Sequence, residues 1–192
     1  MTEAQLILQL KNGERQAYQT LVKNYQHKVY NTALGFLQDG NDAQDLTQEV
    51  FIEVYHTIHQ FKGAAKLATW IYRITVNTCL EELRRRKRKK RMAFIISIFD
   101  TNYQTEINKY SDFEHPGIKL ERKEHHQYLN KALMALPEHY RTVIVLHKLE
   151  GLSQQEIAEI LDKSVSAVES IMVRAKQQLK QLLMQHIKDT LS

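Results

Sequence analysis

Glycine and proline, the residues that interrupt helices, are scarce in this chain, and nearly all of them fall between helical repeats. Only six Gly and two Pro occur in 192 residues. Gly13, Gly40, Gly63, Pro116-Gly117, Pro137 and Gly151 separate segments whose apolar residues recur at helical spacing, and Gly35 alone lies inside such a segment. The spacing predicts helices over 3–11, 14–38, 42–60, 67–91, 121–135, 138–149, 153–161 and 166–187, and no stretch alternates convincingly as a strand would. The expected fold is all-α. Residues 93–120 carry FIISIFDTNYQTEINKYSDFEHPG without helical period, which predicts two small helical domains, 1–92 and 121–192, joined by a flexible linker. Phe94, Ile95, Ile96, Ile98 and Phe99 are too apolar for a freely solvated linker, so a cover is expected over them.

Charge is distributed unevenly. Of 27 Lys and Arg, eight stand consecutively from Arg84 to Arg91, and the remaining 19 face 22 Asp and Glu. A net charge of +5 therefore comes from one place, which points to an anionic partner, phosphate or membrane, met there. The single Cys79 excludes an intramolecular disulfide and a cysteine zinc cluster, and suits a reducing compartment. The opening MTEAQLILQLKNGE lacks a basic start with a cleavable apolar core, and the apolar run at 93–99 is far short of the roughly 20 residues that span a bilayer. These features predict a cytoplasmic protein without membrane insertion, cofactor or metal.

In the C-terminal half, Ser153-Gln-Gln-Glu156 and Ser166-Ala-Val-Glu169 both match the S-x-x-E capping box, one tight turn apart. Ile157, Ala158 and Leu161 would face inward on the first helix, and Val168, Ile171, Met172, Ala175, Leu179 and Leu182 on the second. A helix-turn-helix is one reading, with Ser166, Ala167, Ser170, Val173, Arg174, Lys176 and Lys180 presented to DNA. A plain helical hairpin with a solvated face is the other.

In the N-terminal half, Asp42, Asp45 and Glu49 share one helical face, apart from the apolar Leu46, Val50 and Val54. Three carboxylates there suit a divalent metal, a basic protein partner, or simply solvent at a helix N-terminus. Downstream, FKGAAKLATWIYR at 61–73 sets aromatic rings among bases, the mixture that binds unstacked single strands. Trp70 and Tyr72 cannot share a helix face, so at least one belongs to the core.

Taken in order, AYQTLVKNY (17–25), DAQDLTQEVF (42–51), FKGAAKLATWIYRITVN (61–77), LRRRKR (83–88), LPEHYRTVIVLHKLEGLSQQEIAEIL (136–161) and SVSAVESIMVRAKQQL (164–179) resemble the extracytoplasmic-function (group 4) sigma factors of the sigma-70 family. The resemblance implies a transcription initiation factor, not an enzyme, that directs bacterial core RNA polymerase to promoters. It implies docking on the β′ clamp through Asp42, Asp45, Gln48 and Glu49, with β as a further contact. It implies melting of the minus-ten element by Phe61, Lys62, Lys66, Trp70, Arg73, Asn77, Arg84, Arg85 and Arg88, a flipped base entering the loop at 61–69. It implies minus-thirty-five reading by Ser164, Ser166, Ser170, Arg174 and Lys176, since Glu169 and Ile171 stand where the family commonly has bases. Asp162 replaces a frequent turn glycine and is expected to take its left-handed backbone. An anti-sigma factor is an implied partner. The rival readings are a metal-dependent nuclease, a polybasic membrane-surface protein, and a stand-alone helix-turn-helix regulator.

Overall fold

The computed structural model describes residues 2–99 and 120–190, with side chains for 2–92 and 128–185. Among the described residues the secondary structure is helical and contains no strand. The N-terminal half has α1 (Glu3–Lys11), α2 (Arg15–Leu37), α3 (Gly40–Thr57) with a 3-10 turn (Ile58–Gln60), and α4 (Leu67–Phe99). The C-terminal half has α5 (Leu120–Ala135), α6 (Glu138–Ile144) running into a π-helical turn (Val145–Leu149), α7 (Gln154–Leu161) and α8 (Val165–Thr190).

Local chemistry fixes the helix ends. Thr2 and Gln5 form a reciprocal capping box that opens α1, Asp39 accepts from the Asp42 N–H to open α3, and Ser153 with Glu156 forms the expected box at α7. Asp162 closes α7 in the left-handed region at φ 52°, as the turn requires. At α8 the expectation fails. Ser164, not Ser166, is the cap, accepting from the Ala167 N–H at 3.2 Å, so Glu169 lies beyond the first turn and takes no part in capping. Ser164, two positions earlier, has no Glu three residues on, yet it takes the cap because α8 starts at Val165, directly after the turn at Asp162.

The N-terminal core forms where α2, α3 and α4 bring their apolar stripes together. Val29, Ala33 and Phe36 of α2 are buried, with Ala43, Leu46, Val50 and Val54 of α3 and Leu67, Ile71 and Cys79 of α4. Phe36 is fully buried, and truncating such a ring costs about 3–5 kcal/mol. In the C-terminal half Ile157, Ala158, Val168, Met172 and Ala175 make the corresponding core. Ile160 takes the buried place expected for Leu161, which is half-buried.

Two boundaries differ from expectation. Helix α4 passes its expected end at Arg91 and continues to Phe99. The run from Leu67 to Phe99 contains neither Gly nor Pro, and its basic stretch is made of good helix formers, so the helix persists where the amphipathic pattern stops. The helix expected over 138–149 changes to π geometry at Val145. Of the linker expected over 93–120, residues 93–99 belong to α4 and Leu120 opens α5, while 100–119 lie outside the described residues, as does the cover expected over the side chains of Phe94, Ile95, Ile96, Ile98 and Phe99.

Candidate nucleic-acid interface and partner surface

Helix α3 turns Ala43, Leu46, Val50 and Val54 inward, which leaves Asp45, Gln48, Glu49 and Ile52 along its exposed side. Asp42 is engaged elsewhere. Its carboxylate meets Arg86 of α4 at 2.7 Å, and Arg86 also donates to Glu82 at 2.7 Å. Burial opposes the charge on Arg86, but the hydrogen bonds to Asp42 and Glu82 outweigh it and raise its pKa above the usual value. Asp42 therefore ties α3 to α4, and three of the four expected docking residues stand open. Among the described residues no group of three or more His, Cys, Asp or Glu has metal-holding geometry.

The second surface begins at the loop 61–66. Lys62 and Lys66 are exposed, whereas Phe61 is 4% exposed and packs on Trp70 with ring centroids 5.2 Å apart. Phe61 is thus the floor of the loop, and its ring does not reach the surface. Helix α1 holds both ends of the loop: Lys11 donates to the Phe61 carbonyl at 2.7 Å, and Glu3 accepts from the Leu67 N–H at 3.3 Å. Along α4, Trp70, Arg73, Asn77, Arg84 and Arg88 recur at helical spacing on one side. Trp70 is half-buried and Tyr72 is the ring that enters the core. Arg84, Arg85 and Arg88 are exposed, with Arg85 paired to Glu82 at 2.5 Å.

Much of this strip meets the C-terminal half. Arg73 Nε donates to the Glu159 carbonyl at 3.1 Å, in the last turn of α7 where helix carbonyls lack intrahelical partners. Tyr72 donates to Glu150 at 2.9 Å, while Arg84 and Lys87 meet Glu138 at 3.3 and 3.0 Å. Burial pushes the Glu150 carboxyl above its ordinary pKa, and its Oε1 is buried without a hydrogen-bond partner. The π turn presses on α2 at Gly35: a Cβ there would sit 2.7 Å from Leu149 Cδ1 and 2.9 Å from Val145 Cγ1.

The third surface is the outer side of α8. Val168, Met172 and Ala175 point inward, which leaves Ser166, Glu169, Ser170, Val173, Arg174 and Lys176 exposed together. Ser164 is spent on the cap, and Ser170 donates back to the Ser166 carbonyl at 2.9 Å.

Two bundles in this order, with this division of charge, match known families. Residues 21–89 match sigma-70 region 2, and residues 126–179 match sigma-70 region 4. The RNA polymerase sigma-H factor of Pseudomonas aeruginosa is 31% identical over 181 residues, covering 94% of this chain and 93% of that protein. The ECF RNA polymerase sigma-E factor of Haemophilus influenzae is 32% identical over 94% of each chain. The chain belongs to the extracytoplasmic-function sigma factors. A solved structure of CnrH with the cytosolic domain of CnrY aligns at TM-score 0.65 and 25% identity, over 95% of this chain and 97% of that one. Sigma factor RpoE of Bartonella quintana, solved with the anti-sigma factor NepR, shares the fold at TM-score 0.61 and 20% identity, over 87% of this chain and 96% of that one.

Within this sigma factor, sequence reasoning singled out Arg73 and Arg84 without their partners, and missed Glu138, Glu150 and Arg141 altogether. Arg141 is 3% exposed and donates to the Leu133, Met134 and Leu136 carbonyls, closing the end of α5 from inside region 4. Gly35 was the one available signal: a glycine within a helix asks what lies against it.

Proposed function

We propose that this sigma factor binds bacterial core RNA polymerase and directs it to promoters by recognising a minus-ten and a minus-thirty-five element. The observation that carries this reading is the ordered pair of region 2 and region 4 matches, together with relatives over 30% identical across more than nine-tenths of the chain. The functional units are residues 1–92 for polymerase binding and minus-ten melting, 93–120 as connection, and 121–192 for minus-thirty-five reading.

In this reading Asp45, Gln48 and Glu49 meet the β′ clamp directly, and Asp42 sets the angle of α3 through Arg86. Lys62, Lys66, Trp70, Asn77 and the freed Arg73 and Arg84 line the melted strand, with Arg85 and Arg88 following phosphates and Phe61 supporting the loop from beneath. A flipped base costs a few kcal/mol of unstacking, which a preformed pocket offsets. On α8, Ser166, Ser170 and Arg174 face base edges, Lys176 faces phosphate, and Ser164 orients the helix. The protein works in the cytoplasm, performs no chemistry of its own and needs no cofactor. Since RpoE of Bartonella quintana was solved with an anti-sigma factor, a protein of that kind is the partner expected to restrain this one.

The test is co-elution of the purified chain with core polymerase. A one-to-one complex that then retains promoter DNA supports the reading. Tight binding to duplex promoter DNA without polymerase, and no complex with core, would establish a stand-alone regulator instead.

A further inference from the structure

We propose that the chain's own region 4 is an alternative occupant of the region 2 face carrying Arg73, so that in the free protein this face is covered and cannot take promoter DNA. The proposal rests on the reading that Arg73 and Arg84 meet the melted strand. Four contacts of different chemistry converge on one interface. Arg73 caps the C-terminal end of α7 through the Glu159 carbonyl, Glu150 reaches the buried Tyr72 hydroxyl, Glu138 engages Arg84 and Lys87, and the π turn lies against Gly35. Behind them the buried apolar residues of both halves form a single contiguous cluster. Gly35 shows that the fit is built into the sequence. A helix-interior glycine costs about 1 kcal/mol relative to alanine, and the approach of Val145 and Leu149 leaves no room for a Cβ. Glu150 buries one oxygen without a hydrogen-bond partner, and a buried carboxylate without full pairing weakens the docking.

Two readouts separate docking from function. Small-angle scattering of the full chain reads docking alone, and a compact chain of 192 residues should give a radius of gyration near 16 Å. Gly35→Leu wedges the π turn away while keeping a strong helix former in α2. Glu138→Gln removes the pairing of Arg84 and Lys87 without risk to a core. Both should enlarge the radius, whereas Glu150→Gln, which keeps an acceptor for Tyr72 and removes the buried charge, should not. Binding of the free chain to a pool of single-stranded DNA oligonucleotides reads occlusion. If nine-tenths of the chain is docked, opening strengthens that binding by about tenfold, and Gly35→Leu adds no charge that could explain the gain. An extended wild-type chain whose size ignores all three variants overturns the docking. Variants that open but bind DNA no better overturn the competition. If Arg73→Ala has no effect in the opened chain, the assignment of Arg73 to DNA fails while the docking stands.

An independent observation concerns α1, which precedes the region 2 match. We infer that Lys11 and Glu3 are positioning residues for the loop 61–66. One holds the carbonyl at its entry and the other the N–H at its exit, through charge-assisted bonds that fix the span between them. In holoenzyme, Lys11→Met with Glu3→Ala should lower affinity for the single-stranded non-template strand about tenfold, with unchanged affinity for core polymerase and unchanged thermal midpoint. Lys11→Arg and Glu3→Gln, which preserve donor and acceptor, should restore it. Equal losses in core binding and strand binding would reduce α1 to a stability element, and wild-type strand binding in the double variant would remove its role.

Discussion

The strip on α4 and the outer side of α8 both carry basic residues at helical spacing, yet part of the first is engaged by the other domain while the second is exposed along its length. Helix α8 packs along Val168, Met172 and Ala175, and its outer side is exposed from Ser166 to Lys176. Helix α4 is central, buried against region 2 through Leu67, Ile71 and Cys79 while region 4 takes hold of Tyr72, Arg73, Arg84 and Lys87. Spacing therefore tells where a charged face points, and only the packing of the whole chain tells whether that face is available.

The largest expected effect isolates the surface that neither strip uses. Asp45→Arg with Glu49→Arg reverses two exposed charges on α3 and should weaken core binding by more than about 100-fold, with the fold intact by circular dichroism. Unchanged affinity would place the polymerase elsewhere. Two arginines then sharpen the comparison. Arg141→Met strands the carbonyls that close α5 and should destabilise the chain by about 2–3 kcal/mol in urea. Arg73→Met, at the half-buried interdomain position, should change that stability by less than about 0.5 kcal/mol. On the outer side of α8, Arg174→Ala with Lys176→Ala should weaken promoter binding about tenfold and flatten its salt dependence by about one counterion, that of the phosphate-facing Lys176. At the cap of that helix, Ser164→Ala should cost about 1 kcal/mol and Ser166→Ala only a few tenths, the reverse of what the S-x-x-E pattern implies.

The smallest effect is a pH response of the covered strip. Burial raises the Glu150 pKa in the docked form, where Tyr72 of α4 and Lys28 and Thr32 of α2 face it, and Glu156 of α7 also lies near Tyr72. The docked form then binds a proton more tightly, so docking strengthens as pH falls toward the ordinary carboxylate range and weakens as pH rises through the docked value. Glu138 runs the other way. Burial resists its ionisation, but Lys87 and Arg84 outweigh that and lower its pKa, so its contribution holds above the ordinary value and is lost as pH falls through the lowered one. Compaction should therefore increase on acidification from pH 8 to about pH 5 and decline below that. Glu150→Gln should remove the increase, and a flat profile in the wild type would show that Glu150 does not titrate at the interface.

The helices of this chain were legible because their apolar stripes are regular and their caps are chemically distinct, as at Ser153 and Asp162. Where two serines stood close together, at Ser164 and Ser166, pattern alone chose wrongly. The end of α4 was missed for a related reason. The amphipathic period stops near Arg91, but nothing between there and Phe99 breaks a helix. The α3 carboxylates and the α8 serines were readable as surface features from neighbours along their own helices. The contacts of Arg73, Arg84 and Tyr72 were not, because their partners belong to the other domain, and Gly35 marked that contact without naming what filled it.

The most direct test of the account is start-site mapping with purified core polymerase, the full chain and fragmented genomic DNA. Chain-dependent starts are expected at a limited set of sites that share two sequence elements at fixed spacing, with Asp45→Arg and Glu49→Arg abolishing them. No starts above those of core alone, or starts that survive the double reversal, would contradict it.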